Sequence, residues 1–435
     1  MNKKTLSTLL ALAMCLSMSA QTKALYDFVV PRDGNFRQAI DKANTRTDKK
    51  KRFRIFVMQG NYAIPTEGTT VGSDNENYPD PRTYLKVPNT SIIGEDRDST
   101  VLVNTVPAPS VESKYGLANP LEGIGKGDVL IIEKKCPNTY IQDITMQSGM
   151  ADATGRNIVL NDKSGRTIAK NICIWGYQDT YVSNNEKEMF YFEGGIIRGR
   201  TDYICGKGDV VYNGVTFQQC GQGGYLAVPS RPKKYGYVML NCYVKSETPD
   251  VTWFLGRPWG QGTPTALYIN TVVDKAPIAK DKKGNFGWHD MSNGWPARFA
   301  EYNTTVKSTG AAVDLSTRRT VFKDKEGNEH TNNPILTAEE AKEYTLQNIF
   351  GDWDPTKDTK DATAPTNVVI KKKQLSWTGS DDALLYAVCK NGKVIDFTTE
   401  TTIKVKGKKK DVWSVRSANQ MGGLGQAVEA ARTKK

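Results

Sequence analysis

Histidine is the scarcest chemically versatile residue in this 435-residue sequence, present only as His289 and His330. Two imidazoles exclude a three-histidine zinc site and an HExxH arrangement, and they leave almost no material for a Ser-His-Asp triad. Cysteine is also sparse, seven in all with no CxxC pair, so neither a zinc ribbon nor a thioredoxin-like site is supported. Six of the seven, Cys136, Cys173, Cys205, Cys220, Cys242 and Cys389, are too thinly spread for a disulfide framework. One or two bridges and buried free thiols remain equally open. No stretch approaches the ~18 continuous apolar residues of a membrane-spanning helix. Chemistry is therefore left largely to carboxylates.

What is present starts with an address. Lys3 and Lys4 precede an apolar run from Leu9 to Leu16, and small residues follow at Ser17, Ser19 and Ala20, so residues 1–20 read as a secretory signal peptide. The expectation is an exported protein, periplasmic or extracellular, acting as a monomer. A 38% hydrophobic share with 38 glycines is ordinary for a globular chain. The 59 basic against 47 acidic residues give a net charge of +12, but the excess is uneven. Residues 364–435 hold fourteen Lys and Arg against six Asp and Glu, which is two thirds of that net charge. The Lys408–Lys410 run lacks interleaved aromatics, so nucleic-acid binding is not indicated, whereas attraction to an acidic polymer fits.

The backbone pattern divides the chain. Residues 25–351 contain many short β-branched segments with Asn and Gly at the breaks and centres about 20 to 25 residues apart. That spacing, with almost no Asn-Gly or Asp-Gly hairpin turns, predicts an all-β right-handed parallel β-helix. Helix is expected over Phe36–Ala43 and over Thr337–Gln347, the latter capped by Thr337. Residues 352–364, which hold Pro355 and run up to Pro365, read as a linker. Residues 365–435 alternate as short strands around an Asn391-Gly392 turn, a small C-terminal β-sandwich that resembles a fibronectin type III module. The tail is expected to be dispensable for chemistry.

Two aspartates stand out: Asp179 in Gly176-Tyr177-Gln178-Asp179-Thr180-Tyr181, and Asp202 in Gly199-Arg200-Thr201-Asp202-Tyr203-Ile204-Cys205-Gly206. They are about one coil apart. Equivalent positions on successive coils stack at the ~4.8 Å strand spacing, so both carboxylates would project from one face. Such a pair does not ionise fully, which yields an acid and a nucleophile from one residue type. Arg257, in Phe254-Leu255-Gly256-Arg257-Pro258-Trp259, is suited to hold one of them charged.

Together these segments resemble the GYQDTL, G-x-V-D-F-I-F-G and YLGRPW motifs of the pectin methylesterase family of carbohydrate esterases, in order and across about residues 27–354. The resemblance implies hydrolysis of galacturonate methyl esters in pectin. It makes Asp202 the nucleophile, Asp179 the general acid and base, Gln178 an oxyanion donor and Arg257 the partner of Asp202. It also implies that Trp259 and Trp288 line a sugar groove and that Tyr203 packs beside the site, these three and Arg156 forming the expected substrate-binding set. No cofactor or metal is implied. The sequence departs from the family where Arg156 replaces a second oxyanion Gln, and where Gly287-Trp288-His289-Asp290-Met291 replaces Gly-Trp-x-x-Trp. A β-helical pectate lyase or polygalacturonase, an esterase on other acyl groups, and a non-catalytic glycan-binding β-helix stay open as alternatives.

Overall fold

The computed structural model describes residues 25–64, 69–71, 77–79, 82–104, 128–149, 158–260, 262–275, 279–291 and 293–432. The signal-peptide reading over residues 1–20 and the position of Arg156 lie outside the described residues.

Three parallel sheets wind around one axis as a β-helix. A long sheet stacks ten strands from Phe28–Val30 to Arg298–Tyr302. A second sheet stacks nine, from Gly60–Ile64 to Thr305–Val306. A third, called the site sheet below, stacks seven from Tyr84–Leu85 to Trp253–Gly256. The breaks in the sequence explain the sharp bends between long and second sheets. Asn171, Asn241, Asn270 and Asn303 each adopt a left-handed backbone with φ between 49° and 55°, a conformation asparagine tolerates better than most residues. Their side chains form a ladder along the axis: Asn303 Nδ2 donates to Asn270 Oδ1 at 2.9 Å, and Asn171 Nδ2 donates to Asp143 Oδ1 at 2.6 Å.

Inward residues fill the coil with aliphatic side chains and with Tyr181, Phe192, Tyr212, Trp253 and Phe299. The helix Phe36–Thr45 closes the N-terminal end, burying Phe36, Ala39, Ile40 and Ala43 in the same core, with Asn35 and Gln38 forming a capping box. The second expected helix is split in two, Ala338–Lys342 capped by Thr337 and Leu346–Phe350 capped by Thr345. All six described cysteines are free thiols and five are buried.

The C-terminal strands form two four-stranded sheets packed over Val368, Leu375, Trp377, Tyr386, Val388, Trp413 and Val415. The segment read as a linker is not a free tether. Thr356–Thr359 is helical, Thr359 is buried and donates to Glu193, and Lys170 Nζ reaches the Thr359 carbonyl at 2.6 Å and Asp361 at 2.5 Å. The sandwich itself lies on the outer surface of the long sheet. Leu385, Ala387, Cys389, Ala418 and Leu424 share a second core with Tyr26, Phe56, Ile93 and Tyr140. Phe397 packs 4.7 Å from the Tyr26 ring and 4.9 Å from that of Phe56. The buried Glu95 carboxylate accepts from Val394 N at 2.5 Å and from Gln59 N at 2.9 Å, and Arg416 donates to the Glu95 carbonyl at 2.8 Å. The tail therefore covers a face of the β-helix.

Candidate active site

The site grows from the outward side of the site sheet. Register aligns Val182, Cys205 and Val228 on three successive coils, and with Ile158 they form a small apolar cluster outside the main core. Beside this cluster lies a cavity of about 240 Å³, whose polar lining is Gln178, Asp179, Asp202 and Arg257. Trp259 and Met291 complete its rim.

Strand register places the two carboxylates. Gln178 pairs with Thr201 and Tyr181 with Ile204, a constant offset, so Asp179 and Asp202 hold equivalent positions on adjacent coils. Both have a left-handed backbone, with φ of 57° and 54°. On the next coil the register slips between Thr201 and Ile204, so the strand carrying Asp202 bulges by one residue. A bulge breaks the in-out alternation and re-aims a side chain. Tyr203 and Ile204 consequently both point into the core, while Asp202 turns toward the cavity.

Asp202 is 6% exposed and meets Arg257 through two hydrogen bonds, Nε to Oδ1 at 2.9 Å and Nη2 to Oδ2 at 2.8 Å. A bidentate guanidinium favours the ionised carboxylate and fixes its plane. Arg257 is itself held over the Tyr225 ring at 3.7 Å, and Tyr225 stacks on Phe254 at 5.3 Å. His289 packs edge-on against both rings, a structural role. Cys205 Sγ approaches Asp179 Oδ1 at 3.6 Å. The turn bearing Gln178 and Asp179 is braced from behind by Arg198, which donates to the Gly176 carbonyl at 3.1 Å, lies over Trp175 and forms a bidentate pair with Glu247 at 2.9 Å.

Asp179, Gln178, Asp202, Arg257 and Trp259 thus converge, and Trp259 is 39% exposed. Trp288 does not line the groove. It bridges to Gly256 in the inward register and packs, fully buried, against Phe299 at 4.7 Å. The cavity position of that loop is Met291, where the family has its second Trp. Tyr203, grouped with the substrate contacts by sequence, is fully buried and supports the site from within. Tyr225, Cys205, Val182 and Val228 were missed as site residues. Their signal was the coil register, which places them beside Asp202 and Arg257. Among the described residues no group of three His, Cys, Asp or Glu side chains gathers as a metal site.

A β-helix that presents two aspartates, a paired arginine and an amide donor on one cavity has the parts of an aspartate-based hydrolase. The pectinesterase family profile matches residues 132–350. Pectinesterase A of Dickeya dadantii is 28% identical over 409 residues, spanning 81% of this chain and 99% of the relative. Two solved structures share the fold. Pectin methylesterase from carrot has a TM-score of 0.57 at 19% identity, covering 77% of this chain and 96% of its own. A pectin methylesterase in complex with a hexasaccharide has a TM-score of 0.52 at 23% identity, covering 76% and 98%. The protein is a carboxylic ester hydrolase built on a parallel β-helix. It belongs to the pectinesterase family.

Proposed function

We propose that this enzyme hydrolyses the methyl esters of galacturonate in pectin, releasing methanol and leaving pectate. One observation carries the assignment of roles: Asp202, gripped by both arms of Arg257, opens onto the same cavity as Asp179 and Gln178. The charged Asp202 carboxylate attacks the C6 carbonyl carbon, and the carbonyl electrons move onto its oxygen. Gln178 donates to that oxyanion, a contribution of roughly 3 kcal/mol when a single such donor is lost elsewhere. Collapse breaks the bond to the methoxy oxygen, which takes the Asp179 proton and leaves as methanol. Asp179, now ionised, removes a proton from water as the water oxygen adds to the acyl-enzyme carbonyl. The second collapse frees the galacturonate product and the Asp202 carboxylate, and Asp179 is protonated again.

Around this centre Trp259 offers an exposed ring to the sugars, and Arg156, which stands in the sequence where the family has its second oxyanion glutamine, is read as a substrate-binding residue. We read the chain as an exported monomer with a β-helix over 25–351, a connecting segment over 352–364 and a fibronectin type III-like sandwich over 365–435. The test is stoichiometric: methyl-esterified polygalacturonate should yield one methanol per carboxylic acid titrated. An ultraviolet-absorbing unsaturated product without methanol would replace this reading with a lyase, and acetate release in place of methanol would move it to another acyl ester.

A further inference from the structure

The sandwich carries a second cleft, of about 990 Å³, at the upper end of the range that holds organic ligands. Lys371, Lys372, Lys373, Lys408, Lys409 and Arg432 line it, and no carboxylate does. Its apolar wall is formed by Ile370, Val405 and Trp413. The five lysines are exposed and have no ion-pair partner among the described residues. Asp411, which follows the Lys408–Lys410 run, is buried and is not among the lining side chains: its carboxylate accepts from Lys390 Nζ at 2.9 Å and from the Lys408 backbone N at 2.6 Å, and its carbonyl accepts from Arg432 Nη2 at 2.5 Å.

The turn chemistry gives an independent reason to regard these cations as placed. The module has two hairpins with two left-handed residues at the tip. One uses Asn391 and Gly392, with φ of 52° and 80°, the residues such a turn prefers. The other uses Lys372 and Lys373, with φ of 48° and 68°, which a lysine adopts at a cost that Asn or Gly avoids. A local rule is broken where charge is gained, the pattern expected of a functional surface.

We propose that this cleft binds the de-esterified, polyuronate form of the polymer. The proposal rests on the esterase reading, because each turnover converts a neutral ester into a carboxylate and so creates the anion that six clustered cations attract. Sugar rings would lie along the apolar wall while their carboxylates meet the lysines.

The experiment compares the full chain with a Lys372→Asn/Lys373→Gly variant, measuring binding to polygalacturonate, to highly methyl-esterified pectin of equal length and to DNA. The variant improves the turn, so its melting temperature should hold or rise, and its esterase activity on a short soluble ester should be unchanged. Native affinity for polygalacturonate should exceed that for DNA, fall with methyl esterification and weaken with salt, and the variant should bind about tenfold less tightly. Equal binding by variant and native chain, or DNA bound as tightly as polygalacturonate, would overturn the proposal. Polygalacturonate and DNA carry no methyl ester, and binding to the esterified pectin is read on Asp202→Asn protein, so binding is read without turnover and a protein that binds but releases no methanol overturns the esterase reading and not the cleft.

Discussion

The β-helix has two outward faces that share a device and use it oppositely. On the long sheet, Tyr140, Ile168, Tyr191, Val211, Val238, Leu267 and Ala300 stack in register along the outside. This ladder is sealed by Leu336, Ile349 and Phe350 and, toward the first coils, by the sandwich. On the site sheet the ladder is short, Val182, Cys205 and Val228, and it stays open as the floor of a cavity. An outward apolar ladder is thus neutral information. Its use is decided by what flanks it: more apolar chain on one face, and on the other a bulge that turns a carboxylate toward an arginine.

The comparison breaks first if the long sheet tolerates exposure. Ending the chain near Thr363 should give insoluble or unfolded protein, since uncovering Phe56, Ile93, Tyr140 and their neighbours costs an amount comparable with the whole stability of a domain, ~5–15 kcal/mol. A soluble fragment with a native melting curve would show the cover to be dispensable. The open face should behave in the reverse way. Asp202→Asn should lower kcat at least about a thousandfold, ~4 kcal/mol, with an unchanged melting temperature. Near-normal methanol release by this variant would end the proposed mechanism.

The interior shared by both faces is probed by Asp162, whose buried carboxyl has its pKa raised to about 6 by burial, against hydrogen bonds from Ser164 and Thr167. Below pH 4 it is protonated whether folded or unfolded. As pH rises through 6 the folded chain must ionise it in the core, so stability falls across that window by roughly 3 kcal/mol. Asp162→Asn should therefore match the native chain in denaturant titrations at pH 4 and gain about 2–3 kcal/mol at pH 8. Equal stability differences at both pH values would place the cause elsewhere. The smallest effect belongs to Tyr225→Leu, which removes the ring beneath Arg257, an interaction of ~1 kcal/mol. It should reduce kcat about fivefold. A kcat equal to that of the native enzyme would show that the ring does not position Arg257.

Much of the site was legible because its spacing equals the coil. The interval between Asp179 and Asp202 matches the offset between Gln178 and Thr201, so sequence distance translated directly into adjacency. Trp288 and Tyr203 were misplaced because their direction depends on events that no motif encodes: the bulge after Thr201, and the inward bridge from Trp288 to Gly256. The tail's attachment had a readable sign that was passed over. Leu385 to Cys389 is continuously apolar, and a strand without alternation is buried on both faces. Leu385, Ala387 and Cys389 indeed meet the β-helix, while Tyr386 and Val388 fill the sandwich. Alternation alone suggested an independent module.

The hydrogen bond from Tyr26 to the Gly422 carbonyl, at 2.5 Å, joins residues 396 positions apart, and the Glu95 to Val394 contact spans 299. Synthesis runs from the N-terminus, so the coils can stack while the chain grows, each strand adding to the one before. The outer surface of the first coils then waits, fully formed and apolar, for partners made last. Such a surface is an aggregation hazard for the duration of that wait. Residues 365–435 thereby serve the β-helix as an intramolecular cover, closing an apolar surface whose own residues precede them in synthesis.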